Sequence, residues 1–118
     1  MCMFKTHRFP KISREPIQVY KLFCEKDDNI LCTPAVHYKC KLGDTIKASH
    51  SWIRSLFANR ITGDGVHAFI NNGAYCYRFA RFYGADVYLC EIPPYTPYWI
   101  GEDYDIAASK MIIKEKVK

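Results

Sequence analysis

At 118 residues, with 49% hydrophobic and 15% aromatic residues, the chain has the length of one domain with a modest core, and its composition excludes a disordered tract. No apolar run approaches the ~20 residues of a membrane span. The net charge of +5 is uneven: residues 1–85 carry thirteen Lys/Arg against six Asp/Glu, residues 86–109 carry five acids and no Lys/Arg, and residues 110–118 return to four lysines and one glutamate. A basic surface of this kind suits an anionic partner, nucleic acid or an acidic protein face.

Residues 1–16, "MCMFKTHRFPKISREP", read as a basic arm with two prolines and a single acid, Glu15. No apolar stretch of roughly 7–15 residues follows, so the arm does not read as a signal peptide and the expected compartment is the cytoplasm. Residues 17–118 read as one domain. "IQVYKLFC" (17–24) is rich in strand formers, and "EKDDN" (25–29) is a turn by composition. In "HYKCKL" (37–42), alternation puts His37, Lys39 and Lys41 on one face and Tyr38, Cys40 and Leu42 on the other, a half-buried strand with a basic outer side.

In "SHSWIRSLFANR" (49–60), Trp52, Ile53, Leu56 and Phe57 follow helical spacing, and Arg54 and Arg60 fall off that stripe. "VHAFI" (66–70) is a short strand. Asn71 or Asn72 is then placed to cap a helix running to about Tyr83, with Gly84 as its stop. At about 100° per residue, Tyr75, Phe79, Phe82 and Tyr83 form a stripe of core width, while Tyr77, Arg78 and Arg81 face the other way. "DVYLCEI" (86–92) is a strand, "PPYTPYWIG" (93–101) a rigid aromatic loop, and "ASKMIIKEKVK" (108–118) a last strand. The expected fold is therefore α+β: a single small domain, mainly antiparallel sheet with two short helices.

Few motifs carry chemistry. Cys24, Cys32, His37 and Cys40 lie at C-x7-C-x4-H-x2-C, without the tight knuckle that aims two thiolates at one zinc ion, so no metal is expected. Without an export signal the six cysteines read as free thiols. No cysteine has a local catalytic signature, and His67 on its apolar strand reads as a packed histidine. No phosphate-binding loop or dinucleotide fingerprint is present, so no cofactor is assigned. The binding candidates are Tyr77, Arg78 and Arg81, where guanidinium groups can grip phosphate while a ring stacks on a base; Arg54 and Arg60; and Lys39, Lys41 and Lys47. Tyr95, Tyr98 and Trp99 in the aromatic loop are rigid anchors suited to an interface.

Three segments, "PIQVYKLF", "GVHAF" and "VYLCEIPPYTPYWIG…AASKMII", together resemble small uncharacterised proteins of phages and gut Bacteroidetes, over most of residues 16–113. In those proteins a "VYK" strand precedes a "G-[FV]-H-[AS]-F" segment and a "C-x-IP…Y-x-G…AS-x-x-I-I" ending. The resemblance implies a small accessory protein, plausible as a phage counter-defence factor of the anti-CRISPR type acting in the host cytoplasm. A second similarity is to ADP-ribosyltransferase-like domains, where Tyr20-Lys21 and Gly65 to Phe69 would match parts of an NAD pocket. That family also uses a glutamate near its last core strands. Glu91 and Glu102 lie in that region, but no motif surrounds them. The leading expectation is a non-enzymatic binding protein for RNA, DNA or a nuclease complex. The alternatives are NAD-dependent ADP-ribosyl transfer and an oligomerising structural module.

Overall fold

The computed structural model describes residues 2–27, 30–33, 39–49, 52, 57, 60–62, 65–71 and 73–117. Twelve strands and one helix occur among them. The longest strand, β3 (Ile17–Asp27), is the axis of the sheet. It pairs with β9 (Asp86–Ile92) from Ile17↔Ile92 to Phe23↔Asp86. Both strands are dense in Val, Ile, Leu, Phe and Tyr, which fit a pleated, half-buried surface.

On its other side β3 meets β8 (Val66–Phe69) at Tyr20↔Phe69, and β4 (Ile30–Cys32) further along, which in turn pairs with β5 (Lys39–Cys40). β8 pairs with β11 (Asp105–Ala108), β11 with β10 (Pro97–Ile100), and β10 with β2 (Lys11–Ile12). Beyond β9 come β12 (Lys110–Lys116) and β6 (Thr45–Lys47). A separate pair joins β1 (Cys2–Phe4) to β7 (Arg60–Thr62). All of these ladders are antiparallel.

The order β11-β8-β3-β9-β12 forces curvature on this sheet. If it were flat, β11 and β12 would lie ~19 Å apart, four inter-strand spacings. Yet they are consecutive in the chain, separated by Ser109 alone, and two residues span no more than ~7 Å. The sheet therefore curls into a barrel in which one bent strand, 105–116, runs on both sides of the closure. Ser109 sits at the bend, donating its N–H to Pro97 O (3.1 Å) and accepting from Ala48 N (2.8 Å).

The curl encloses one core of alternate side chains: Val19 and Phe23 of β3, Val66 and Ala68 of β8, Tyr88, Cys90 and Ile92 of β9, Ile106 and Ala108 of β11, and Met111 and Ile113 of β12. The outer side of the same strands carries Leu22, Phe69 and Val87, covered by helix α1 (Ala74–Tyr83) through Cys76 and Ala80. A third cluster of Met3, Trp99 and Ala107, with Trp52 against it, also contains an outward-facing residue of β11. None of the described helices is long and apolar enough to cross a membrane.

These observations correct the expected α+β class with two short helices. The fold is mostly antiparallel sheet, with α1 as the one helix among the described residues. The helix expected over 49–60 falls mostly outside the described residues. Arg60, expected at its end, lies instead in β7 opposite Phe4. The segment read as an arm supplies β1 and β2, and the segment read as an aromatic loop supplies β10. Each is a strand of two to four residues, stabilised by a partner far away in the chain, which no local pattern reports.

Helix α1 starts at Gly73 with no side-chain cap, rather than at an asparagine; Asn71 Oδ1 accepts from Gly73 N instead (3.2 Å). Gly84 adopts φ 63° and Ala85 N–H returns to Ala80 O (2.8 Å), the left-handed stop that a glycine permits.

The bend makes a direct prediction. Ser109→Pro removes the N–H that bonds Pro97 and leaves an acceptor unmatched at the seam. A loss of about 2–4 kcal/mol is expected in urea unfolding, whereas Ser109→Ala, which keeps the N–H, should cost under about 1 kcal/mol.

Candidate nucleic-acid interface

Helix α1 buries its small residues. Cys76 and Ala80 are buried and Phe79 is half-buried, so the short side chains let the helix settle close to Leu22, Phe69 and Val87. This rotates the aromatic stripe expected from the sequence. Phe82, read there as core, is 79% exposed, and Tyr83 is exposed as well. The side chain of Tyr75 lies outside the described residues.

Tyr77, Arg78 and Arg81 are exposed, as their angular positions require. The spacings 77/81, 78/81 and 78/82 make neighbours of Tyr77, Arg78, Arg81 and Phe82 on one continuous face. Phe82 is held rather than loose. Ring contacts lead from buried Phe69 to Phe79 (5.8 Å), on to Tyr83 (6.4 Å, stacked) and then edge-to-face to Phe82 (5.0 Å).

The helix carries no acidic residue. Among the described residues the ion pairs are Lys114–Glu91 at 3.9 Å and Lys116–Asp86 at 3.4 Å. Neither engages Arg78 or Arg81, so both guanidinium groups keep their donors free for an anion. The pairing of Asp86 with Lys116 also occupies the acid closest in sequence to the end of the helix.

The other basic candidates do not join this face. Lys39 and Lys41 flank buried Cys40 and are exposed, and Lys47 is exposed on β6 opposite Lys110. These three lie along 39–47, on β5, β6 and the turn between them. Arg54 lies outside the described residues, as does the side chain of Arg60.

The aromatic loop needs a correction too. Trp99 is not offered to a partner. It is 1% exposed and covered by the chain's own N-terminal segment. Its Nε1 donates to Arg8 O (3.3 Å), the Lys5 ammonium sits 4.3 Å above its ring, and Trp52 packs at 5.1 Å. Next to it, His7 Nε2 accepts from Ile100 N (3.0 Å). Tyr98 packs against the barrel core, which leaves Tyr95 as the exposed member of the three. Tryptophan in a Pro-rich stretch has the composition of an interface anchor. Only the fold of residues 2–13 over β10 shows that the interface is internal.

Cys24, Cys32, Cys40, Cys76 and Cys90 are free thiols. Among the described residues no group of three His, Cys, Asp or Glu side chains could hold a metal; His37 lies outside them. Asp105 is buried, accepts from Asp103 N (3.3 Å), and has its carboxyl pushed up by that burial.

One chemically unusual residue enters the sequence analysis only through the ADP-ribosyltransferase-like similarity and not as a binding candidate. Lys21 alternates with Val19 and Phe23, whose side chains fill the barrel, so it too points inward. Its Nζ donates to His67 O at 2.7 Å, which brings the "VYK" and "GVHAF" segments together. The available signal was a lysine at an inward position of an otherwise apolar alternation. Burial pushes its amine down to about 8 from the ordinary 10.5, against smaller upward pulls from Cys90 and Cys40.

Comparison with protein-family models, with curated proteins and with solved structures finds no match.

The Lys21 shift fixes a pH dependence. The folded pKa lies below the unfolded one, so the cost of holding an ammonium in the barrel is fully present below about pH 8. It is relieved as the pH rises toward 10.5. Lys21→Met should therefore stabilise the fold at pH 7 by about 2–3 kcal/mol. The advantage should shrink by pH 10. A constant difference across that range, in paired denaturation curves, would contradict the assignment.

Proposed function

We propose that this protein binds nucleic acid, alone or within a nuclease complex, through the outer face of α1. What supports the reading is the combination on that face: two arginines that no ion pair among the described residues engages, a helix without a carboxylate, an exposed Tyr77, and exposed Phe82 and Tyr83 held by ring contacts. Arginine supplies bidentate donors for phosphate, and flat rings supply surfaces for bases. A protein-binding face of the same size would need no excess of charge of one sign. Lys39, Lys41 and Lys47 provide a second contact for a longer strand. The sharper form, which rests on the resemblance to small phage proteins, is an inhibitor that occupies the nucleic-acid path of a host defence nuclease.

Binding of a labelled 20-nucleotide single strand and of a matching duplex, followed by anisotropy across a salt series, tests the proposal. The double substitution Arg78→Glu with Arg81→Glu should weaken binding at least about tenfold and lower the salt slope by ~1.4 for a single strand, the value of two lost phosphate contacts. Phe82→Ala should weaken it by about 1–3 kcal/mol without changing the slope. Affinity that ignores both salt and the arginine substitutions would reject the interface.

A further inference from the structure

Independently of the helix face, the sheet ends at β2, and no described strand pairs with its outer edge. We propose that this edge takes an extended, acidic segment of another protein as an added strand.

The register shows which groups are on offer. Lys11 pairs with Tyr98 and Ile12 with Pro97. Opposed residues of an antiparallel ladder alternate between exchanging hydrogen bonds and turning them away from each other. Ser13 N–H donates to Thr96 O (3.1 Å), and Pro97 has no N–H to give, so Ile12 holds the position that turns away. Its N–H and C=O therefore point outward. A donor and an acceptor on one residue match the backbone of an extended chain. Phosphate oxygens would satisfy the N–H and leave the C=O without a donor.

The edge is short but fixed. Ser13 is buried; its Oγ donates to Pro93 O (2.7 Å) and accepts from Thr96 N (2.9 Å), while its carbonyl accepts from Tyr95 N (2.6 Å). These bonds anchor β2 to the turn at 93–96, so an incoming strand meets a preorganised template. The same turn holds Tyr95 in the left-handed region at φ 62°, with its side chain 79% exposed. A tyrosine in that conformation is strained, and such strain is retained where the surrounding structure uses it to place a group. The Tyr95 ring and the exposed Ile12 side chain give the added strand its apolar contacts.

Charge selects the occupant. Arg8, Lys11 and Arg14 are exposed, no ion pair among the described residues engages them, and Glu15 is the first acid in the sequence. A second copy, pairing β2 with β2, would set these cations beside their own images, which is repulsive. Carboxylates in the added strand turn that repulsion into attraction.

The test uses the full chain and a fluorescein-labelled peptide of alternating glutamate and valine, about nine residues long. Binding is followed by anisotropy, with a lysine–valine peptide as control. The acidic peptide should bind, the basic one should not, and the bound peptide should slow amide exchange at Ile12. Ile12→Pro removes the outward N–H and keeps the bonds of Lys11 and Ser13 to β10. It should weaken binding about tenfold without shifting the urea midpoint. Tyr95→Gly, which relieves the strain and removes the ring, should weaken binding as well. Lys11→Glu with Arg14→Glu should transfer the preference to the lysine–valine peptide, whereas Arg78→Glu with Arg81→Glu should leave it unchanged. The proposal is overturned if the acidic peptide does not bind, or if it binds with exchange at Ile12 unaltered. It is also overturned if sedimentation shows a dimer that Ile12→Pro dissociates, or if that substitution lowers affinity for a single-stranded oligonucleotide instead.

Discussion

Ser109 separates two strands that the sheet order places four positions apart. A chain can meet that condition only by curling the sheet round, and most features of this molecule follow from the curl. It gives β3, β8, β9, β11 and β12 an inside, which is the main core, and an outside, which needs cover. Helix α1 covers one outer patch through Cys76 and Ala80. Residues 2–13 cover part of another, around Trp99. A small chain has little core to spare, and burying both sides of β8 and β11 obtains more burial from the same strands than an open sheet would.

The same closure produces the two chemically distinct surfaces. On the outside, the helix approaches the sheet by its small residues, so its bulky and charged side chains are turned to solvent as one face. Its aromatic rings are tethered to the core through Phe79, which keeps Phe82 presented at little entropic cost. On the inside, strand alternation admits whatever residue the sequence places at an inward position. At Lys21 that residue is an amine, which the barrel surrounds with apolar groups and protonated thiols. A lysine placed there costs stability.

Some of this was legible beforehand for clear physical reasons. The period-two run Ile17–Phe23 and the run Asp86–Ile92 marked the two central strands. Gly84 marked the end of the helix, and Tyr77, Arg78 and Arg81 were placed outward by angle alone. The errors share a cause. Hydrophobicity alone points Phe82 and Tyr83 to the core because it favours large rings over Cys76 and Ala80, whereas close packing against a sheet favours the small ones. Trp99 has the sequence setting of an anchor for a partner, because composition cannot distinguish a surface covered by another molecule from one covered by a distant part of the same chain.

By itself, the sequence determined what depends on near neighbours: strand alternation, the helix and its stop, free thiols in apolar surroundings, and the separation of basic from acidic segments. Only the tertiary structure decided what depends on distant pairing: the closure at Ser109, the strands formed by residues 2–12, the burial of Trp99, and the meeting of Lys21 with His67 across 46 positions. The division is physical. Local periodicity is written in consecutive residues, whereas which strand lies beside which is settled by the whole set of long-range contacts competing at once.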